Sequence, residues 1–401
     1  MNKLREVAIV AAGVISPLGR GCAETSAALR DGRDGVSPVT SFDVSKTRSK
    51  TAGQIPDEWL AGFAATRKQK RRHPASKMMI AAMDELVSQD RDFAPELMVI
   101  GTTSGGMTFG ESFFRALSQQ KKSRQRAAWL ANYNPQKPVL DAMEHAKFSA
   151  PSQIIANACA SGSNAIGHAF SLVRSGECDR VLCGGYDAIS EMVFVGFDSL
   201  QASTPEKIRP FDQARTGLVL GEGAALIALE AFAHAAARGA HILGRVTGYG
   251  ISTDNFHLTQ PHPSGIGPRL AMERALASAG KNASEVDYIN AHGTATQFND
   301  ATEGVAIAQL FGNRVPVSST KSMMGHALGG AGAIEAVFSL LALRENFLPP
   351  NINFRECDAA FDLNVIANQS RQAKLRCVIS NSFGFGGTNA AIILEATDEH
   401  G

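Results

Sequence analysis

The chain has 401 residues, with 39 Lys and Arg against 38 Asp and Glu and a formal net charge of +1. Near-neutrality excludes a global attraction to nucleic acid or to an anionic membrane surface, and six cysteines in a chain this long make neither a dense disulfide framework nor CxxC pairs. A reduced cytosol is expected, the length suffices for one large core or two domains, and no segment approaches a membrane span; the first apolar run is broken by Gly13 and Pro17 and lacks a signal-peptide core.

Val7 to Ala12 reads as a buried strand, followed by the turn-rich SPLGRG and a helix through about Leu29 that ends at Gly32. The basic run RKQKRR, Arg67 to Arg72, leads into a helix that starts near Pro74 and carries Met78, Met79, Ala82 and Met83. Leu97 to Gly101 is a strand that enters the tight turn TTSGG, and helical and irregular sequence follows to Pro151. Ser152 to Ala158 is short and largely apolar, a strand, while Gly162 to Ser175 sets Ala165, Ile166, Ala169, Leu172 and Val173 at helical spacing. A strand at Val181 to Gly185, a looped region to Arg215 and a strand at Ala224 to Leu229 complete this part.

The remainder repeats the order. Ile242 to Gly250 is again a strand, Pro268 to Ala279 a helix, and Val286 to Ala291 a strand that leads into HGTAT. Val315 to Ser319 enters a glycine-rich loop and the helix Gly330 to Arg344, as the strand before Cys159 enters its helix. Residues Ser380 to Glu395 echo Gly217 to Glu230. Two copies of one strand and helix unit predict an α/β protein with two related halves, 1–240 and 241–401, packed about a pseudo-twofold. Function is expected where strand ends of both halves meet.

Cys159 falls at the strand-to-helix junction, where free N–H groups and the helix dipole favour thiolate over thiol. Its neighbours Ala158, Ala160, Ser161 and Gly162 are small enough to admit a substrate carbonyl. That makes it a nucleophile candidate, with a small buried core thiol as the alternative. His292 opens the small-residue segment HGTAT at a strand end, a poor place for core filler. The loop STKSMMGHALGGAG carries Lys321 and His326, to be weighed against a solvated lysine and a structural histidine. The repeat puts this loop and Cys159 in equivalent places, so the two can converge. A thiol and two neutral imidazoles suit carbonyl chemistry, since imidazole N–H groups can donate to a thioester oxygen or a developing enolate. FGFGG, Phe383 to Gly387, could add a backbone N–H and a mobile aromatic.

The segments ACASGSNAIGHA, DQARTGLVLGEGAA, INAHGTAT, SSTKSMMGHALGGAGAIEA, LPPNIN and NSFGFGGTNAA, in this order, resemble the elongating β-ketoacyl-acyl carrier protein synthases. The resemblance spans essentially the whole chain. It implies the thiolase-like fold, an αβαβα layering of the two halves, and decarboxylative condensation of an acyl group on Cys159 with malonyl-acyl carrier protein. By the same resemblance His292 and His326 drive decarboxylation, and the N–H groups of Cys159 and Phe385 form an oxyanion hole. Lys321, paired with Glu303, orders the site, Thr294 and Thr296 bind the phosphopantetheine arm, and Asp254 lies near the gate. No cofactor is implied beyond the carrier's phosphopantetheine, although in some relatives a monovalent cation, Na+ or K+, sits at positions matching Asn290, Glu335 and Asn381. An acidic carrier protein would meet Lys68, Arg71, Arg72 and Arg209, in a homodimer or a heterodimer with a chain-length subunit, in the cytoplasm. Two other readings stand beside this one, a non-catalytic chain-length subunit and a thiolase-type acyltransferase; the first lacks the nucleophile and the second needs another cysteine where this chain has Ser382 and Phe383.

The chain departs from the family at HGTATQFND, where HGTSTPxGD is usual, which points to a specialised polyene or polyketide synthase. It departs again at Ser104, where relatives often carry a bulky aliphatic residue and a smaller one would open the acyl tunnel.

Overall fold

The computed structural model describes residues 4–63, 71–120 and 125–397. Most of its strands build one 12-stranded sheet, and two small two-stranded ribbons lie apart from it. The main strands are β1 (Val7–Ser16), β2 (Leu97–Gly101), β3 (Ser152–Ile155), β4 (Arg180–Asp187), β5 (Gly223–Ala231), β6 (Gly244–Thr253), β7 (Tyr288–Asn290), β8 (Pro316–Ser318), β9 (Asn364–Val365), β10 (Cys377–Gly384) and β11 (Thr388–Glu395). Across the sheet they run β9-β8-β7-β10-β11-β6-β1-β5-β4-β2-β3, with Gly19–Arg20 folded back on β1.

The order has an internal logic. β2 pairs parallel with β3 and β4, and β5 then runs antiparallel to both β4 and β1. β7 likewise pairs parallel with β8 and β10, and β11 runs antiparallel to both β10 and β6. The inner parallel strands β2 and β4 are buried on both faces and read as the runs LMVIG and RVLCGGYD, while the edge strands β3 and β9 are only partly covered. Their carboxyl ends deliver Thr102, Ile155, Asp187, Asn290 and Ser318 to one side of the sheet, where the site forms.

Six helices matter to that side: α1 (Cys22–Asp31), α2 (Pro74–Gln89), α3 (Ser161–Ser175), α4 (Ile266–Ala279), α5 (Gln297–Phe311) and α6 (Ala331–Glu345). α6 is buried from Ala331 to Leu343. Its apolar residues on every face mark a core helix, and burying each of Ile334, Val337, Leu340 and Leu341 contributes roughly 1.5–3 kcal/mol. α3 crosses α6 at their first turns, where a Cβ on Gly162 would lie 2.7 Å from Ala333 N and one on Gly332 2.3 Å from Ser163 Oγ. Only glycine permits that approach, so these two residues bring the start of the Cys159 helix against the start of its counterpart. α3 ends at Gly176, whose left-handed backbone returns its N–H to the carbonyls of Leu172 and Val173.

The helices Glu191–Ser199 and Gln297–Phe311 lie where no helix is expected from the sequence pattern. Thr296 caps the second, its hydroxyl accepting from Asn299 N, and that cap was a readable signal. Among the described residues no helix is long and apolar enough to cross a membrane.

Candidate active site

Cys159, His292 and His326 line one cavity of about 250 Å³, together with Thr294, Thr296, Asp254, Phe383 and Phe385. The loops that converge there each hold a non-glycine residue in the left-handed region: Ala158 (φ 58°), Ala295 (φ 64°) and Leu328 (φ 51°). Such residues cost about 1–2 kcal/mol apiece and persist where the surroundings fix them. Ala158 immediately precedes the thiol, and its strained turn ends the strand and aims Cys159 into the cavity.

The N–H groups of Cys159 and Phe385 both point at the sulfur. Burial nevertheless pushes the thiol up to about 11, against the pull of Lys321 and these two donors, while Asp187 adds to the rise. A resting thiolate is therefore not what the fold provides, because the expected pull of the helix start is outweighed by desolvation.

The two imidazole rings meet edge to face, with centroids 5.2 Å apart. Burial, then the nearby Lys321 ammonium, holds both well below the usual histidine range, so both are neutral. Among the described residues neither ring nitrogen of His326 has a hydrogen-bond partner, nor does Nδ1 of His292. Buried polar atoms are normally paired, so these nitrogens make the two rings candidates for a chemical role. The backbone of His292 is held by Glu303, whose carboxylate accepts from His292 N at 2.8 Å and Gly293 N at 2.7 Å.

Lys321 is fully buried and pairs with Glu335 at 2.6 Å, not with Glu303. Glu335 stands one turn inside the apolar helix α6 and faces the Lys321 loop, whereas Glu303 on α5 is already occupied by the HGTAT backbone and by Asn299 and Asn381. Thr294 and Thr296 hydroxyls lie 2.9 Å apart on the cavity wall. Asp254 takes a hydrogen bond from Asn389 Nδ2 at 3.0 Å and donates its own N–H to Gly387 O, which ties it to the FGFGG turn. The ring of Phe385 stacks on Phe197 at 5.5 Å.

Other expected residues are placed differently. Ser104 is buried within the TTSGG turn, its N–H spent on Asp187, and does not line this cavity. Arg72 is turned inward, 8% exposed, facing Asp141 at 3.8 Å and Glu144 at 3.6 Å. Arg209 is 11% exposed and bonded to Glu206 at 2.8 Å. Arg71 is exposed, and Lys68 lies outside the described residues. Of the proposed cation ligands, Asn290 donates to Glu335 O and Asn381 to Glu303. Phe298, exposed at the mouth, and Phe197 were not singled out from the sequence.

Strands ending in a thiol at a helix start and two neutral imidazoles, on this sheet order, define an acyl-transferring enzyme of thiolase-like fold. The chain belongs to the beta-ketoacyl synthase family: residues 4–235 match the model of its N-terminal domain and residues 243–355 that of its C-terminal domain. It is 36% identical to a 3-oxoacyl-[acyl-carrier-protein] synthase 2 of Synechocystis, covering 97% of each chain, and 34% identical to that of Rhizobium meliloti, covering 99% of this chain and 100% of the other. Among solved structures it is similar to the ishigamide ketosynthase/chain length factor, with a TM-score of 0.91 and 33% identity over 98% of this chain and 100% of the other. A ketosynthase from Xenorhabdus doucetiae, solved with its chain length factor, matches with a TM-score of 0.83 and 28% identity over 98% of each chain.

Proposed function

We propose that the chain condenses an acyl group carried on Cys159 with malonyl-acyl carrier protein, giving 3-ketoacyl-acyl carrier protein and carbon dioxide, in fatty acid or specialised polyketide biosynthesis. The observation that carries this is the convergence of one thiol, two unprotonated imidazoles and two N–H groups on a single cavity. In loading, the sulfur attacks the acyl thioester, its proton leaves with the departing pantetheine thiol, and the oxyanion is met by Cys159 N and Phe385 N. In the second half, the malonyl C–C bond breaks and carbon dioxide departs. The electron pair stays as an enolate that His292 and His326 stabilise, and its carbon then attacks the acyl carbonyl and expels the Cys159 thiolate. Neutral imidazoles suit this because they donate without quenching the carbanion.

Thr294 and Thr296 hold the pantetheine arm, Lys321 with Glu335 sets the field around the thiol, and Glu303 positions His292. Asp254, tied to the FGFGG turn, steadies the gate beside Phe385. The halves 1–240 and 241–401 supply the thiol and the imidazoles respectively. A monovalent cation, Na+ or K+, would suit Asn290, Glu335 and Asn381, where Oδ1, Oε2 and Oδ1 are buried without a partner among the described residues and offer the hard oxygen donors such an ion prefers. When bound it adds positive charge beneath the site. The enzyme works in the cytoplasm as a dimer, with itself or with a chain-length subunit. The exposed Phe114, Leu130, Tyr133, Met192 and Val195 form an apolar face that supports this.

Incubation with acyl-carrier and malonyl-carrier protein, followed by mass spectrometry, tests the reading. A 3-ketoacyl product is expected; acylation of Cys159 without any condensed product defeats the proposed reaction.

A further inference from the structure

Asp187, at the carboxyl end of β4, is fully buried and lies outside the cavity lining, and it accepts four hydrogen bonds. Oδ1 takes Thr102 Oγ1 and Ser104 N, each at 2.8 Å. Oδ2 takes Thr103 N at 2.9 Å and Gly329 N at 2.7 Å. Among the described residues no ion pair offsets its charge. It thus joins the TTSGG turn, whose Thr102 lies 85 residues before it, to the loop that carries His326, whose Gly329 lies 142 residues after it.

Both segments reach the reacting groups. On one side Thr103 Oγ1 donates to Ala158 O at 3.2 Å, holding the strained residue just before Cys159. On the other, His326 is fixed through its own backbone to Val219 and Gly221, and Gly329 closes the loop three residues later. A Cβ on Gly329 would lie 2.6 Å from Thr103 N, so the two segments touch as well as share the carboxylate.

We propose that Asp187 is a positioning residue for condensation, a buried carboxylate that locks the Cys159 turn and the His326 loop to each other. This rests on the reaction proposed above. The position works against the thiolate: a negative charge near the sulfur holds the thiol higher. A carboxylate kept where it opposes ionisation is there for its four acceptor sites, and that conflict gives the test opposite signs. The titratable and charged groups around the thiol are Asp187, Lys321 with its partner Glu335, Asp254 on the same cavity lining, and the neutral His292 and His326.

Asp187→Asn leaves one oxygen for four donors and turns an NH2 group on two of them. Turnover is expected to fall about tenfold to a hundredfold, as for a reacting group misplaced by a fraction of an ångström, with KM for carrier-bound substrate within about twofold. The rate of Cys159 alkylation by iodoacetamide should meanwhile shift to lower pH, because the opposing charge is gone. Asp187→Glu restores an anion and is expected to return the alkylation midpoint and recover most of the turnover. Should Asp187→Asn not fold, Thr103→Val cuts only the link to Ala158, and turnover is expected to fall about fivefold with the midpoint unmoved, a smaller version of the same misplacement. Undiminished turnover in both Asp187→Asn and Thr103→Val, or an alkylation midpoint that ignores the Asp187→Asn charge change, overturns the proposal. Alkylation needs no carrier protein, so a midpoint shift in a chain that never condenses supports the placement of Asp187 and counts against the reaction alone.

Discussion

The floor of the Cys159 cavity and the segment around Arg71 use charge in opposite ways. Below the cavity, Lys321 and Glu335 meet at 2.6 Å with no access to water. Near residue 71 the charges divide: Arg71 reaches solvent while Arg72 is pulled against Asp141 and Glu144. The difference teaches which charges are replaceable. Removing one partner of a buried pair strands the other at a cost of about 3–5 kcal/mol, whereas an exposed pair contributes about 0–1 kcal/mol. The cavity floor should therefore fail abruptly on mutation, and the exposed rim should fail by degrees and in proportion to salt.

The largest effect is expected at the thiol. Cys159→Ala should abolish acyl loading, because no other side chain in the cavity can form the thioester, while both imidazoles remain and some malonyl decarboxylation persists. Labelled acyl group retained on this variant would break the assignment. His326→Ala removes one donor to the enolate and should slow decarboxylation about a hundredfold, by analogy with the loss of an oxyanion-hole donor. Release of labelled carbon dioxide from malonyl-carrier protein measures it, and a native rate would take His326 out of the chemistry. Glu335→Gln leaves the Lys321 ammonium buried and uncompensated, and a stability loss of about 3–5 kcal/mol should appear in denaturant unfolding. A loss below about 1 kcal/mol would place this pair with the exposed ones.

The cavity floor was also the more legible of the two regions in the sequence, for a physical reason. A cysteine among small residues at a strand end, and histidines set in glycine-rich turns, are awkward as core packing; each signal alone was weak, and the family resemblance of the surrounding segments was needed to single out Cys159, His292 and His326 together. The Lys321 partner was less legible. Glu335 is a lone acid in AGAIEAVFSLL, and a charge on an all-apolar helix needs a buried counter-charge, but two acids were available and only the fold shows that Glu303 is spent on the HGTAT backbone. Asp187 left no trace, since its partners are mostly backbone N–H groups. In RKQKRR nothing in the pattern says which arginine turns inward, because that depends on Asp141 and Glu144 some 70 residues away on another helix.

Acid adds a finer probe of the floor. His292 and His326 are held neutral in the native state, whereas unfolded histidine protonates near pH 6.5. Below that pH the unfolded chain binds protons the native chain refuses, so these two groups withdraw stability as pH falls, by about 1.4 kcal/mol per pH unit for each histidine. Buried Glu335 and Glu303, pushed up to about 7, have the opposite sign, since they stay protonated in the native state above the pH at which unfolded glutamate ionises. The difference between native protein and His326→Asn isolates the histidine. Between pH 6.5 and 5 the variant should lose stability less steeply by about one proton's worth, and parallel curves would mean that His326 is already protonated in the fold.

The smallest effect is expected at the rim, and there the two neighbouring arginines separate surface charge from structure. Arg71→Glu reverses an exposed charge. If an acidic carrier protein docks there, the attraction acts through solvent and is screened over a Debye length of about 8 Å at physiological salt. KM for the carrier-bound substrate should rise a few-fold at low salt, converge with that of the native protein near 0.5 M salt, and leave alkylation of Cys159 untouched. Arg72→Glu instead sets a third carboxylate against Asp141 and Glu144. Its expected signature is a lowered unfolding midpoint that salt does not rescue, by the same logic that makes the Lys321 pair indispensable. If Arg72→Glu folds normally and raises KM as Arg71→Glu does, its inward orientation is not maintained in solution and both arginines belong to the carrier-facing rim.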